Sequence, residues 1–152
     1  MKLDFFILAD AAAAADGKLY VHGGGVRDFT VPVIPWTQPS LAFVFRMTFD
    51  PDDLLGSHDV AVQVMSKTDD AIIVGPANAL IDPTTFPPLE KGATKNRISF
   101  ALTIGGIPFP AVGKYAAQVM FDGDVVAEEP LIVQLDETSS EGFVPLPQPE
   151  QQ

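Results

Sequence analysis

Carboxylates are the side chains best placed to do chemistry in this 152-residue chain, and seven of the 20 fall in three short stretches. Asp50, Asp52 and Asp53 form one, Asp69 and Asp70 a second, and Asp122 and Asp124 a third. Calcium takes several oxygen ligands from loops, and in a β-sandwich alternate loops collect at one end. The pattern therefore nominates Asp50, Asp52, Asp53, Asp122 and Asp124 as candidate ligands of a calcium-dependent, C2-type sandwich. Their spacing is not that of an EF-hand loop. The opposing reading is that aspartate favours turns and caps for its own backbone chemistry. On balance no metal and no other cofactor is assigned.

The remaining motifs are weaker. His22-Gly23-Gly24-Gly25 matches the oxyanion-hole motif of lipases and esterases, but that chemistry also needs a serine on a Gly-x-Ser-x-Gly elbow. None of Ser40, Ser57, Ser66, Ser99, Ser139 and Ser140 has that context. A bulge or turn after a histidine is the simpler account. Gly17-Lys18 and Gly113-Lys114 lack the rest of a phosphate-binding loop. His22 and His58, the two histidines, would need carboxylate help to hold a metal. Trp36, near Phe29 and among Pro32, Pro35 and Pro39, is a candidate binding residue or else a plug at one end of the core. Phe143, in the run FVPLP at 143–147, is a second candidate, as a segment that docks on another protein. No catalytic constellation emerges, so the chain is expected not to be an enzyme.

Composition narrows the partners. The net charge is -11 with a pI near 4.3. That charge repels a phosphate backbone and an anionic membrane surface, so neither nucleic acid nor membrane is an expected partner. Cysteine is absent, which excludes disulfides and thiol chemistry and fits a cytoplasmic home. Lys2 followed by apolar residues imitates a secretory signal. However, Asp4 and Asp10 leave only residues 5–9 unbroken, short of the roughly 7–15 a signal core needs. No run approaches transmembrane length.

The elements that must position these residues read as strands. Hydrophobic residues make up 47%, enough for a core, and the 14 prolines and 12 glycines leave little room for helix. Residues 113–135 form a hairpin at Asp122-Gly123, with Tyr115, Ala117, Val119 and Phe121 on one face. A three-residue loop, 122–124, is preferred there, because it pairs Phe121 with Val125 and Val119 with Ala127 and keeps Asp124 off the buried face. A second hairpin turns at Asp16-Gly17, its first strand placing Leu3, Phe5, Ile7 and Ala9 on one side. The small side chains of residues 11–15 would let another layer approach closely. Residues 40–49 alternate most cleanly, with Leu41, Phe43, Phe45, Met47 and Phe49 on the core face. DPDDLLG (50–56) is a turn capped by Asp50. Residues 59–66, 71–74 and 97–104 are further strands, and Gly75-Pro76 is expected to interrupt the strand 71–74 before it continues at 78–81. Residues 82–94 are a loop. Residues 137–152 lose periodicity and read as a flexible, acidic, Pro-rich tail to a domain of residues 1–136.

The run LADAAAAADGKLYVHGGG, a Pro/Trp loop and the strand LAFVFRM together resemble a family of bacterial proteins of about this length, catalogued only as a domain of unknown function. The likeness is sharpest from Ala9-Asp10 through Gly17-Lys18-Leu19-Tyr20 to Gly23-Gly24-Gly25. The closing hairpin, Gly113-x-Tyr115 through Pro130-Leu131-x-Val133, is similar to the last strands of many immunoglobulin-like sandwiches. These resemblances imply a β protein and supply no catalytic residue. The expected architecture is a single antiparallel β-sandwich, immunoglobulin-like or another Greek key, of about eight strands with little or no helix. The expected role is a non-enzymatic protein-binding or interaction module, with contacts carried by strand edges or end loops. The alternatives are a self-assembling structural subunit and a calcium-dependent binding domain.

Overall fold

Alternating apolar side chains and Asp-Gly turns fold the chain into strands along its length. The computed structural model describes residues 1–85 and 94–140. Among them run β1 (Lys2–Ala15), β2 (Lys18–Gly24), β3 (Asp28–Val31), β4 (Trp36–Phe49), β5 (His58–Ser66), β6 (Ile72–Ile81), β7 (Asn96–Phe109), β8 (Gly113–Phe121) and β9 (Asp124–Leu135). The only helical pieces described are three short 3-10 turns. One sheet has the order β2-β1-β4-β7 and the other β3-β9-β8-β5-β6. The second curls into a half-barrel.

One core fills the space between the sheets. Leu41, Phe43, Phe45, Met47 and Phe49 of β4 are each at most 1% exposed. They meet Val60, Val62 and Val64 of β5 and Ala117 and Val119 of β8. Each large side chain buried this way contributes about 1.5–3 kcal/mol before entropy is subtracted. Tyr115, near the start of β8, packs edge-on against Phe109 with ring centroids 4.9 Å apart. Its hydroxyl donates to the Ala111 carbonyl, 2.7 Å away, across the corner that enters the strand.

Several expectations are corrected. There are nine strands among the described residues rather than about eight, and the second sheet is not wholly antiparallel, because β3 pairs parallel with β9. Parallel pairing needs a long connection, and residues 32–123 separate these two strands. A register shift at Asp4 moves Leu3 to the side of Phe6 and Leu8, and turns Phe5, Ile7 and Ala9 outward. Asp4 lies beside β4, where it accepts from Arg46 Nε at 3.0 Å and from the Thr48 hydroxyl at 2.9 Å. The β8–β9 turn is the two-residue form, with Phe121 opposite Asp124. A bulge after Val119 then restores the Val119–Ala127 pair that the core requires. β4 begins at Trp36, β6 is one strand whose pairing with β5 shifts at Gly75-Pro76, the interruption expected there, and β7 continues past Pro108. β6 and β7 each end a sheet, and an edge strand tolerates proline.

The first hairpin ends the first sheet, but beyond Ala9 it leaves β4 as an arm. β1 pairs with β4 only as far as Ala9, and its second half pairs with β2 alone. This arm folds across the outer face of the first sheet, where Ala12 and Leu19 pack on Ala9, Ala42 and Val44. Its tip, residues 14–18, reaches Arg97 and Phe100 of β7 and Leu80 of β6. Small alanines allow the close approach. The His-Gly-Gly-Gly run ends the arm: His22 to Gly24 are the last residues of β2, in register, and the chain leaves the ladder at Gly25. Gly23 has φ +62°, and a Cβ there would sit 2.1 Å from the Asp10 carboxylate. The amides of Gly25 and Val26 both donate to the Leu8 carbonyl and close the base.

Candidate functional site

Two of the three aspartate stretches gather at one end of the molecule. The 3-10 turn Pro51–Leu54 and the β8–β9 turn both adjoin His58, at the start of β5. Asp69 and Asp70 lie beyond Ser66, at the other end of that strand. Asp50 caps the turn as its sequence suggests and lies 3.5 Å from Lys95. Asp53 bonds the amino group of Met1 at 2.7 Å and the Asp50 amide at 2.9 Å. Asp52 and Asp124 are exposed. Among the described residues no group of three or more His, Asp or Glu side chains is gathered to hold a metal ion.

The sequence did not single out the group that ties this end together. His58 Nδ1 lies 2.7 Å from Asp122 Oδ2, Nε2 bonds the Asp53 carbonyl, and the ring stacks on Phe121 at 4.9 Å. A carbonyl and a carboxylate only accept, so this arrangement favours the imidazolium, in which both ring nitrogens donate. The Asp122 carboxylate, followed by the Asp53 carbonyl, raises the His58 pKa above its ordinary 6.5, and burial opposes them. The Asp59 amide, then His58, holds Asp122 below the usual carboxylate range. Neither ring nitrogen is left to take a proton from a substrate, so the pair works as a clasp between two loops.

The clasp carries a pH signature. Because the folded pKa of His58 is raised, its contribution to stability is complete below pH 6.5 and is lost as the pH rises through the folded value. The depressed Asp53 and Asp122 contribute above pH 3.8 and lose that contribution as the pH falls. The urea midpoint of wild type relative to His58→Gln is therefore expected to fall between about pH 6 and about pH 8. A constant difference across that range would show that the imidazolium contributes nothing.

Trp36 opens β4, half-buried against the main core, with its indole N–H 3.2 Å from the Gln38 side-chain oxygen. Phe143, and the tail from residue 141 onward, lie outside the described residues.

The arm carries the most open strand edge among the described residues. Four strands end the two sheets: β2 and β7 in one, β3 and β6 in the other. Proteins blunt such edges with short strands, prolines and bulges. β3 has four residues, β6 carries Pro76 and register shifts, and β7 carries Pro108. β2 has seven residues, no proline and an unbroken register. Asp16 and Gly17 both have positive φ, the two-residue turn that makes Ala15 and Lys18 a hydrogen-bonded pair. Bonding then alternates along the ladder, so Leu19 and Val21 direct their N–H and C=O groups to the open side. Tyr20 is 52% exposed and Val21 38%. The sequence shows the strand and its turn, but it cannot show which edge is left uncovered.

No helix among the described residues is long and apolar enough to cross a membrane. No curated protein matches the chain. One family model does match, over residues 4–134, which covers both sheets, the arm and the His58 clasp. The chain therefore belongs to that family, the family of unknown function DUF6941.

Proposed function

We propose that the chain is an immunoglobulin-like sandwich acting as a non-enzymatic protein-binding module, which takes an extended segment of a partner onto the free edge of β2. The single observation that carries the binding reading is that edge: seven residues, unblunted, beside exposed Tyr20 and Val21. An added strand gains main-chain hydrogen bonds along such an edge and specificity from alternate side chains. The fold reading rests on strand order. β1, β4 and β7 correspond to strands A, B and E of an immunoglobulin domain, and β5, β8 and β9 to C, F and G. The Tyr115–Ala111 bond has the form of the tyrosine corner at the start of strand F. The clasped His58 supports a non-catalytic role.

Val21→Pro tests the binding reading. It removes an outward N–H and no bond to β1, so the arm keeps its ladder. Extended peptides selected from a displayed random library on the wild-type chain are expected to bind Val21→Pro at least about tenfold more weakly. They should bind Val21→Thr nearly unchanged. Equal binding to all three proteins would overturn the proposal. Light scattering on the same proteins separates the competing outcome: a dimer of wild type that dissociates in Val21→Pro would make the edge a self-assembly surface instead.

A further inference from the structure

At the tip of the arm lies a cavity of about 360 Å³. Ala14, Ala15, Leu80, Ile98 and Phe100 give it apolar walls, and Lys18 and Arg97 stand at it as cations. Asp16 lines it as well, so the charged lining carries two cations and one anion. Among the described residues neither Lys18 nor Arg97 makes an ion pair. Arg97 acts on Asp4 through space, and Asp4 is already bonded to Arg46 and Thr48. Two cations without ion-pair partners around an apolar hole are unusual in a chain of net charge -11. They match a ligand with one anionic group on a small apolar body.

The position of the cavity indicates which ligand that is. Lys18 is the first residue of β2. A peptide added antiparallel to β2 runs from the Gly24 end toward Lys18, so its C-terminal end arrives at the cavity. A parallel peptide would instead bring its N-terminal end, and a free ammonium there would meet Lys18 and Arg97. Charge thus selects the antiparallel direction, which is also the more stable ladder. We propose that the cavity at the arm tip binds the free C-terminal carboxylate and last apolar side chain of a peptide paired antiparallel with β2. Arg97 and Lys18 hold the carboxylate, and the wall formed by Ala14, Leu80 and Phe100 takes the side chain. Arginine presents paired donors matched to a carboxylate. This inference rests on the β2 edge being the binding surface.

The test uses the full chain and fluorescein-labelled heptapeptide pools ending in Val, Leu or Phe, each made as the free acid and as the C-terminal amide. The free acids are expected to bind at least about tenfold more tightly than the amides. Arg97→Gln and Lys18→Gln should each reduce that ratio toward one, leaving amide binding and the thermal midpoint unchanged. Val21→Pro should weaken both pools. If acids and amides bind alike and Val21→Pro weakens both, the carboxylate site is overturned while the edge reading stands. An acid preference that survives both glutamine variants also overturns the site. If neither pool binds the wild-type chain, both readings fall.

Discussion

Replacing Phe45 by alanine is expected to lower the stability of the chain by about 3–5 kcal/mol, the range for emptying a large aromatic site in a core. Phe45 is fully buried at the middle of a row of three rings. It stacks on Phe100 with centroids 4.8 Å apart and an interplanar angle of 15°, and it meets Phe6 edge-on at 6.3 Å. The row follows the ladder, since Phe6 stands opposite Phe45 and Phe45 opposite Phe100. Alanine removes the ring contacts on both sides, and the flanking β1 and β7 are held by their own hydrogen bonds and cannot close the gap. A urea titration reads the loss as a lower midpoint at unchanged slope. Phe45→Leu should recover more than half of it. A loss below about 1 kcal/mol for the alanine variant would mean that the three rings can rearrange freely, against close packing.

The second large effect concerns a polar chain across the second sheet. Gln63 and Gln118, on neighbouring strands, are 8% and 6% exposed. Gln63 donates to Gln118 at 2.8 Å, and Gln118 donates to Glu128 at 2.8 Å. Lys67 completes the chain at Glu128, 2.8 Å away. Leucine at 118 strands the buried amide of Gln63, so Gln118→Leu is expected to lose about 1–3 kcal/mol. Removing both amides strands nothing, so Gln63→Leu with Gln118→Leu should come back to within about 1 kcal/mol of wild type. The four proteins of this cycle, compared by urea midpoint, give the coupling directly. If the double variant loses the sum of the two single losses, the amides do not act as a pair.

Both predictions concern residues that the sequence makes visible to different degrees. The alternation of residues 41–49 is legible because one face of β4 is fully buried and a one-residue slip would expose five large side chains. Both Asp-Gly turns are legible because Asp16 and Asp122 adopt the positive φ that such turns need. The bulges are not legible. Nothing in the letters around Asp4 or after Val119 marks where a ladder gains a residue, and the face assignment of β1 and the turn length at 122–124 depend on those positions. The parallel β3–β9 pair joins residues 104 positions apart, as 28 and 132 are, and no local pattern encodes it.

The candidate site was legible only in fragments. The aspartate stretches at 50–53 and 122–124 do converge, but on His58, whose contact with Asp122 spans 64 positions. A lone histidine before a strand carries no signal of such a partner. The edge of β2 depended on recognising that the alanines of residues 11–15 lie over a sheet and do not continue one. The small side chains suggested a close approach, but not which surface they approach.

The arm's attachment sets it apart energetically from the rest of the chain. It is held to the sheet mainly by a small apolar patch of Ala12 and Leu19 on Ala9, Ala42 and Val44, while most of its residues face solvent. The main core, with its rows of phenylalanine, involves neither strand of the arm beyond Ala9. The arm is therefore expected to lift and close again as a unit while both sheets stay folded, and amide hydrogen exchange in residues 11–22 faster than in β4 and β8 would show it. On that expectation the chain is two cooperative units of unequal stability, and the weaker one carries the open edge. Any strand that joins that edge adds to the stability of the arm and leaves the sheets beneath it unchanged.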